Sequence, residues 1–275
     1  MAEPMKKWER VHATMFHRFV YLCVYFVQRL ILYIMESTSV NNLIRKVRRI
    51  NIRKIQPPQE VTKNIKLMED LLAGNCEFTK WKYQTFNRPY HLVKLKSRDE
   101  LYSLVAARFN YTMTSPKGTH YALNSVLRVE NPFLLAQFYL RKTRLDRREK
   151  RVSVNLFHGT RNKNLNPICR DNFNWRLTGT AKGSKFGQGV SFSTRSDYSK
   201  HFVNTFDFGE YPKLRTTGLG SAMFMVQVLK GKSHIGNKYT RIPEKGYDTT
   251  DNGKGTVIVK YQDFEFYPQS ILLIN

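Results

Sequence analysis

The residues best suited to chemistry are a histidine, a glycine and a threonine that follow one another where an apolar run ends. The run is SVNLFHG, residues 153–159, and a polar, turn-rich segment follows from Thr160. A short β-type run bounded by turn formers predicts a strand, so His158 and Gly159 lie at its end. An imidazole beside the backbone N–H and C=O of a glycine offers hydrogen bonds to a hydroxyl and a carboxamide. Taken alone, His158 is equally typical of a hydrogen-bonded core histidine.

A second cluster of small residues follows at GSKFGQGVSFSTRSDYSKHF, residues 183–202. Gly183, Gly187 and Gly189 have the spacing G-x-x-x-G-x-G and precede a strand. The dinucleotide-binding loop has the spacing G-x-G-x-x-G and follows a strand. A Walker loop is absent from the sequence as well. A nucleotide bound by this chain would therefore be held by neither of the two common phosphate cradles.

Six short segments follow one another along the chain: LFHGT (156–160), ICRDNFNWR (168–176), GQGVSF (187–192), YSKHF (198–202), AMFMVQVLKG (222–231) and YPQSILLI (267–274). Taken in order, they resemble the catalytic domain of the poly(ADP-ribose) polymerase family, and its mono-ADP-ribosylating branch most closely. The resemblance covers roughly residues 85–275, and NPFLLAQFYLRK (131–142) resembles the family's approach to the site. Because several independent motifs occur in register, the resemblance is specific.

The resemblance implies a site for NAD, used as co-substrate, and no metal. His158 matches the histidine that holds the ribose hydroxyls, and Gly159 matches the glycine whose backbone grips the nicotinamide carboxamide. Ser199 matches a serine that also holds the carboxamide, and Phe202 matches the aromatic residue that stacks on the nicotinamide ring. Thr160 is expected to cap the turn, with binding at the adenosine end of NAD as its alternative role. The flat ring and the amide suit an aromatic face and paired polar groups.

Two motif positions depart from the family pattern. Ser191, within GVSF, stands where a tyrosine is expected and leaves open the space under the nicotinamide end of NAD. The last catalytic position, a glutamate in chain-elongating members, is assigned to Ile271 in YPQSILLI. Isoleucine cannot hydrogen-bond a ribose hydroxyl or activate an acceptor. The resemblance therefore implies transfer of one ADP-ribose unit to a protein acceptor with release of nicotinamide, and no polymer synthesis.

Three functions of different classes remain open at this point. The first is an NAD-dependent mono-ADP-ribosyltransferase. The second is a degenerate relative, with Ser191 in place of tyrosine, that serves as an NAD-binding or interaction module. The third is a basic protein that associates with RNA or an anionic membrane and uses this domain as a scaffold. The sequence does not indicate the acceptor or the oligomeric state.

The elements predicted around these motifs define an α+β fold. Helices are expected at 97–109, where Ser97 and Glu100 form a capping box, and at 131–142, where Asn131 precedes Pro132. Five short strands follow with almost no long helix between them, which disfavours a doubly wound parallel sheet. We expect mixed or antiparallel sheets with flanking helices, as in the ADP-ribosyltransferase fold. The strand runs are SVNLFHG, GVSFS, SAMFMVQVLKG, TVIVKY and SILLI.

The composition is strongly basic, with 46 Lys and Arg against 21 Asp and Glu and a formal net charge of +25. Such a charge attracts polyanions or anionic lipid, so RNA and anionic membranes are candidate partners. A solubilising surface and a basic cleft for a small anion are the alternatives. Three widely spaced cysteines favour neither a zinc module nor a disulfide framework. We therefore expect an intracellular location, in the cytoplasm or the nucleus.

The first 59 residues form a basic extension of different character. Residues 15–35 are the most apolar window, flanked by aromatic and basic residues. They are interpreted as a membrane-inserted or interfacial helix, as a helix packed on the rest of the protein, or as a signal-anchor. A basic, Pro-Pro linker follows at 45–59. The domain organisation is then an extension (1–59), a short helical lead-in (60–84) and a catalytic domain (85–275).

Overall fold

The computed structural model describes residues 59–114, 121–147, 152–177, 184–204 and 220–275. The predicted helix at 15–35 lies outside these residues, as does the linker up to residue 58. Of the two compact units in the chain, the second, Lys63–Asn275, carries the α+β fold. No helix within the described ranges has the length and apolar character needed to cross a bilayer.

Within the described residues, nine strands form one sheet in the order β1-β2-β9-β5-β3-β4-β8-β7-β6. All neighbouring pairs are antiparallel except β6 and β7, which are parallel. This mixed sheet with flanking helices confirms the expected fold class. The strands are β1 (His91–Lys94), β2 (Leu123–Glu130), β3 (Val152–Gly159), β4 (Val190–Ser193), β5 (Ser221–Lys230), β6 (Ser233–Ile235), β7 (Thr249–Asp251), β8 (Val257–Lys260) and β9 (Phe266–Ile274).

Five α-helices flank the sheet in the described part of the chain. The predicted cap at Asn131 is confirmed, because its side-chain oxygen accepts a 3.1 Å hydrogen bond from the backbone of Leu134. The predicted capping box at Ser97 is wrong, because the helix begins at Glu100 and Asp99 is the residue before it. The helices are α1 (Gln59–Ala73), α2 (Glu100–Thr112), α3 (Pro132–Asp146), α4 (Leu165–Asp171) and α5 (Ser196–Lys200).

Alternate residues of the central strands enter separate cores on the two faces of the sheet, as the period of two in a strand requires. On β3, Leu156 belongs to one core and Phe157 to the other. The first core is closed by α4 and by Phe173, and the second by Val105 and Phe109 of α2. The central strands are therefore buried on both faces, and ligand access is left to their ends.

The last turn of α1 and the segment that follows it pack against α3 and the start of β9. Leu72, Phe78 and Trp81 are at most 6% exposed and share a cluster with Phe138 and Tyr267. The next residues are fixed by Glu130, whose buried carboxylate accepts 2.9 Å hydrogen bonds from the backbone N–H groups of residues 82 and 83. The predicted lead-in (60–84) is thus in close contact with residues of the predicted catalytic domain (85–275).

A fully buried ion pair joins β8 to the start of β9. Lys260 Nζ lies 2.7 Å from Glu265 Oε2, and both side chains have no exposed surface. Arg141 of α3 lies 2.5 Å from the other carboxylate oxygen. The helix and the last strand are thereby joined through one buried carboxylate.

Candidate active site

His158 lies at the end of β3, where its imidazole is enclosed by aromatic rings. The ring of Phe173 meets it edge-on at 4.8 Å, and that of Phe192 lies 5.7 Å away. Across the strands, His158 is in register with Phe224 of β5. Because the surrounding rings are apolar, few neighbouring groups can hydrogen-bond to the imidazole, and its two nitrogens can be considered one at a time.

The Nδ1 atom of His158 lies 2.9 Å from the backbone carbonyl of Ser191. A carbonyl oxygen only accepts, so Nδ1 carries the proton and donates it. Burial lowers the pKa of His158 to about 4, against a smaller raising effect of this hydrogen bond. At neutral pH the ring is uncharged, and Nε2 presents a bare lone pair. That nitrogen is suited to accept a hydrogen bond from a hydroxyl group.

Gly159 brings β3 into close contact with α5. A Cβ atom at this position would lie 1.9 Å from the backbone oxygen of Ser199 and 3.2 Å from Cβ of Phe202. Only glycine allows the strand to approach the helix so closely. Pairing between β3 and β4 is limited to Phe157 and Ser193, so the main chain of Gly159 lies past the end of that ladder. The structure thus brings Gly159, Ser199 and Phe202 together.

The start of helix α5 is fixed to the end of α2 by hydrogen bonds of buried hydroxyl groups. Ser196 Oγ donates a 3.1 Å hydrogen bond to the carbonyl of Phe109, and its backbone N–H donates a 3.0 Å bond to Thr112 Oγ1. Because a helix of five residues has little stability of its own, these bonds determine where it lies. They place Ser199 at 2% exposure beside Gly159, and they leave the Phe202 ring 36% exposed.

Thr160 and Ser191 are both hydrogen-bonded to neighbouring residues in the structure. The Thr160 hydroxyl is buried and accepts a 2.8 Å hydrogen bond from the amide of Asn164, which fits the turn-capping role. Ser191 is half-buried on β4 and holds His158 through its main-chain carbonyl. Any residue type supplies that carbonyl, so the change from tyrosine to serine leaves the imidazole anchored.

Ile271 is not brought together with the other predicted residues. It is 1% exposed on β9 and pairs with Leu127 on one side and Phe224 on the other. Its side chain belongs to the core cluster that also contains Phe224 and Leu156. A side chain enclosed in this way cannot touch a ligand. Ile271 is therefore a core residue and not a site residue, which corrects its assignment as a catalytic position.

Beside α5 lies a cavity of about 560 Å³ whose lining the sequence reasoning did not identify. Thr256, just before β8, lines it and accepts a 2.9 Å hydrogen bond on its carbonyl from the N–H of residue 194. Asp197 is its only lining carboxylate among the described residues, and Arg195 binds it at 2.5 Å. Ser193 of β4 and Tyr198 of α5 also line it. The R-x-D spacing at 195–197 gave no separate signal in the sequence, because a charge pair there is typical of an exposed helix start.

No cluster of three His, Cys, Asp or Glu side chains suited to a metal ion occurs among the described residues.

The chain is similar to known proteins over this same region. The model of the family described as "Poly(ADP-ribose) polymerase catalytic domain" matches residues 99–265. Protein mono-ADP-ribosyltransferase PARP11 of Mus musculus is 28% identical over 215 residues, covering 70% of this chain and 63% of that protein. The Homo sapiens PARP11 is 27% identical, with 70% and 61% covered. Homo sapiens PARP12 is 27% identical, with 66% and 25% covered.

The family match extends over more than half of the 275 residues, and the chain belongs to the poly(ADP-ribose) polymerase catalytic domain family. The resemblance inferred from the six short motifs is thereby confirmed. The chain spans about three fifths of the length of the PARP11 relatives and a quarter of the PARP12 relative.

Proposed function

We propose that the protein is an NAD-dependent mono-ADP-ribosyltransferase that transfers one ADP-ribose unit to a protein acceptor and releases nicotinamide. The observation that carries the proposal is the close approach of Gly159 to α5 beside the neutral imidazole of His158. The names of the similar mouse and human proteins support the same reaction type.

Each residue has a role that its geometry permits. The Nε2 lone pair of His158 accepts a hydrogen bond from a ribose hydroxyl of NAD, and the main chain of Gly159 binds the nicotinamide carboxamide. The part-exposed ring of Phe202 offers a stacking face, and Ser199 adds a hydroxyl next to Gly159. Departure of neutral nicotinamide requires orientation and charge stabilisation more than a strong acid. A site without a free carboxylate can therefore support the reaction.

Transfer of a single unit is supported by the state of the one carboxylate among the described residues that line the neighbouring cavity. Elongation requires a group that activates a ribose hydroxyl of the bound unit as nucleophile. This carboxylate is that of Asp197. Burial raises its pKa, but the hydrogen bonds from Arg195 and Thr114 outweigh that effect and lower the pKa, so the carboxylate is charged and already bonded. At the start of β8 the cavity is lined by Thr256, whose hydroxyl is not a carboxylate and does not serve as a base.

The competing proposal is a degenerate relative that binds NAD or a partner without transfer. It is favoured by one observation, the serine at position 191 in place of the expected tyrosine. The anchoring of His158 by the Ser191 carbonyl argues for a functional site, because the imidazole keeps its tautomer without the tyrosine ring.

The experiment is incubation of the full chain with labelled NAD, reading protein labelling and nicotinamide release together. We expect labelling by single units in the wild type and in Ser191→Ala, since alanine retains the carbonyl. His158→Ala should abolish both signals, and Gly159→Ala should abolish them through the clash with α5.

Labelling that persists in His158→Ala would contradict the assigned site. A folded wild-type protein that neither labels itself nor releases nicotinamide would favour the degenerate alternative. Calorimetric titration with NAD would then distinguish a binding module from a site that has lost its ligand.

We propose further that the protein is intracellular and that its basic segments contact RNA or an anionic membrane. The proposal is supported by the net charge of +25 and by the free thiols of Cys76 and Cys169 in the described region. Residues 15–35 remain a candidate for membrane association. A fluorescent fusion of the full chain, imaged with membrane and nuclear markers, tests the location.

A further inference from the structure

The connection between β6 and β7 displays large apolar side chains to solvent. Ile235, Tyr239 and Ile242 are each 72–74% exposed, and Tyr247 is 42% exposed. Single exposed apolar residues need no explanation, but several on one short connection mark an interaction site. We call residues 235–247 the β6–β7 surface.

The shape of the β6–β7 surface is fixed by its own hydrogen bonds. The N–H of Glu244 donates to His234 Nε2 at 3.2 Å, and the N–H of Thr240 donates to the carbonyl of Asn237 at 3.0 Å. The ring of Tyr247 lies 5.0 Å from that of His234. The exposed side chains are therefore presented by an ordered connection, which reduces the entropy lost on binding.

Cations are interleaved with these apolar residues. Lys238, Arg241 and Lys245 are all exposed on the same connection, and Lys238 lies 4.9 Å from the ring centroid of Tyr239. Glu244 is the only carboxylate within residues 235–247. The surface therefore has a net positive charge and an apolar, aromatic centre.

From this combination we infer that the β6–β7 surface binds an anionic lipid bilayer. Tyrosine prefers the membrane interface, and exposed Lys and Arg are attracted to anionic headgroups. RNA would also attract the cations and stack on the tyrosines, but it offers no apolar region for Ile235 and Ile242. Strand addition by a protein partner is disfavoured because β6, the edge strand, has only three residues.

The β6–β7 surface is attached to the segment that leads into β4. The N–H of Gln188 donates a 2.8 Å hydrogen bond to the carbonyl of Thr240, and its side chain donates to the carbonyl of Lys238. Three residues further on, the carbonyl of Ser191 holds His158. A bilayer docked on this surface would lie on the β4 side of the sheet, where the candidate active site begins.

The test uses sedimentation of the full chain with vesicles of phosphatidylcholine containing 0, 15 or 30% phosphatidylserine. Each cation near an anionic surface strengthens binding by about fivefold. Replacing Lys238, Arg241 and Lys245 with glutamine should thus weaken binding by roughly 100-fold at 30% phosphatidylserine. Ile235→Ser with Ile242→Ser should weaken it at least about tenfold, through lost apolar burial.

The matched control is the glutamine triple variant of Lys94, Lys96 and Arg98. These exposed cations surround β1 at the opposite edge of the sheet, so the change in net charge is the same. We expect vesicle binding close to that of the wild type. An equal loss in both triple variants would show that net charge alone drives binding, and it would overturn the inference.

A probe of insertion separates this surface from any other membrane contact of the chain. An environment-sensitive dye is placed at Ile242→Cys in a chain with Cys23 and Cys76 replaced by serine, and at Leu140→Cys as control. We expect a blue shift with anionic vesicles at position 242 and none at 140. Unchanged emission at 242, with the protein bound to the vesicles, would overturn the inference. So would a loss of single-stranded RNA binding in the β6–β7 variants with vesicle binding intact.

Discussion

The protonation of His158 makes the stability of the fold depend on pH in a way that can be calculated. The folded-state pKa is about 4, against 6.5 for an unperturbed histidine. Since the unfolded chain binds the proton first, the free energy of unfolding falls as the pH drops from above 6.5 towards 4. At pH 5 this linkage destabilises the fold by about 2 kcal/mol relative to pH 8.

The assay is urea unfolding of the wild type, His158→Gln and Ser191→Ala at pH 5, 6, 7 and 8. His158→Gln retains a donor for the carbonyl of Ser191 but has no titrating group. Its free energy of unfolding should therefore fall less between pH 8 and pH 5, with a difference from the wild type of about 2 kcal/mol. Ser191→Ala keeps the carbonyl and should retain the wild-type pH dependence.

Equal pH dependence in the wild type and His158→Gln would refute this reasoning, because the imidazole would then titrate alike in the folded and unfolded chains. Nitrogen NMR of the labelled ring gives an independent answer. We expect a proton on Nδ1 and none on Nε2 throughout the neutral range, and the opposite tautomer would refute the role assigned to Nε2.

Two further predictions concern the scaffold. A chain that begins at residue 85 loses Leu72, Phe78 and Trp81, whose burial contributes about 5–9 kcal/mol. This approaches the whole stability of a typical domain. The chain from residue 85 should therefore show no cooperative thermal transition by circular dichroism, whereas a chain from residue 60 should unfold cooperatively. Cooperative unfolding of both chains would contradict this prediction and place the domain boundary after the lead-in. Glu265→Gln leaves the buried Lys260 without its main counter-charge and should lower the free energy of unfolding by about 3–5 kcal/mol. Adding Lys260→Met should restore part of that loss, and an unchanged denaturation midpoint in Glu265→Gln would contradict the buried pair.

Local signals in the sequence were sufficient for most of the long elements. The amide of Asn131 and the following proline fixed the start of α3, because an N-cap depends only on neighbouring residues. The five apolar runs all correspond to strands. The strands β1, β2, β6 and β7 were not identified. Three of them have only three or four residues, which carry too little periodicity, whereas β2 has eight residues and was missed in spite of its length. The cap was misplaced at Ser97 because Ser97 and Asp99 both have cap-forming side chains and only tertiary packing selects between them.

The site was predicted best where a residue type is irreplaceable. Gly159 is such a position, because no other residue fits against the backbone of Ser199. Ile271 was placed wrongly because successive apolar residues on β9 look alike in sequence, while the register with β2 and β5 decides which of them is accessible. Thr256 was missed for the complementary reason, since its position beside β4 arises from pairing between strands distant in the sequence.

The single pair that joins β3 to β4 divides the sheet into two halves. On one side, β3 pairs with β5 over eight residues, and on the other, β4 pairs with β8 over four. Between them, only Phe157 and Ser193 pair, and the His158 imidazole adds a side-chain bond at the same junction. A small rotation of one half against the other would change the Nδ1 to carbonyl distance directly. The position of the imidazole is therefore set by the angle between the two halves, and a change in that angle would alter the site without any change in its residues.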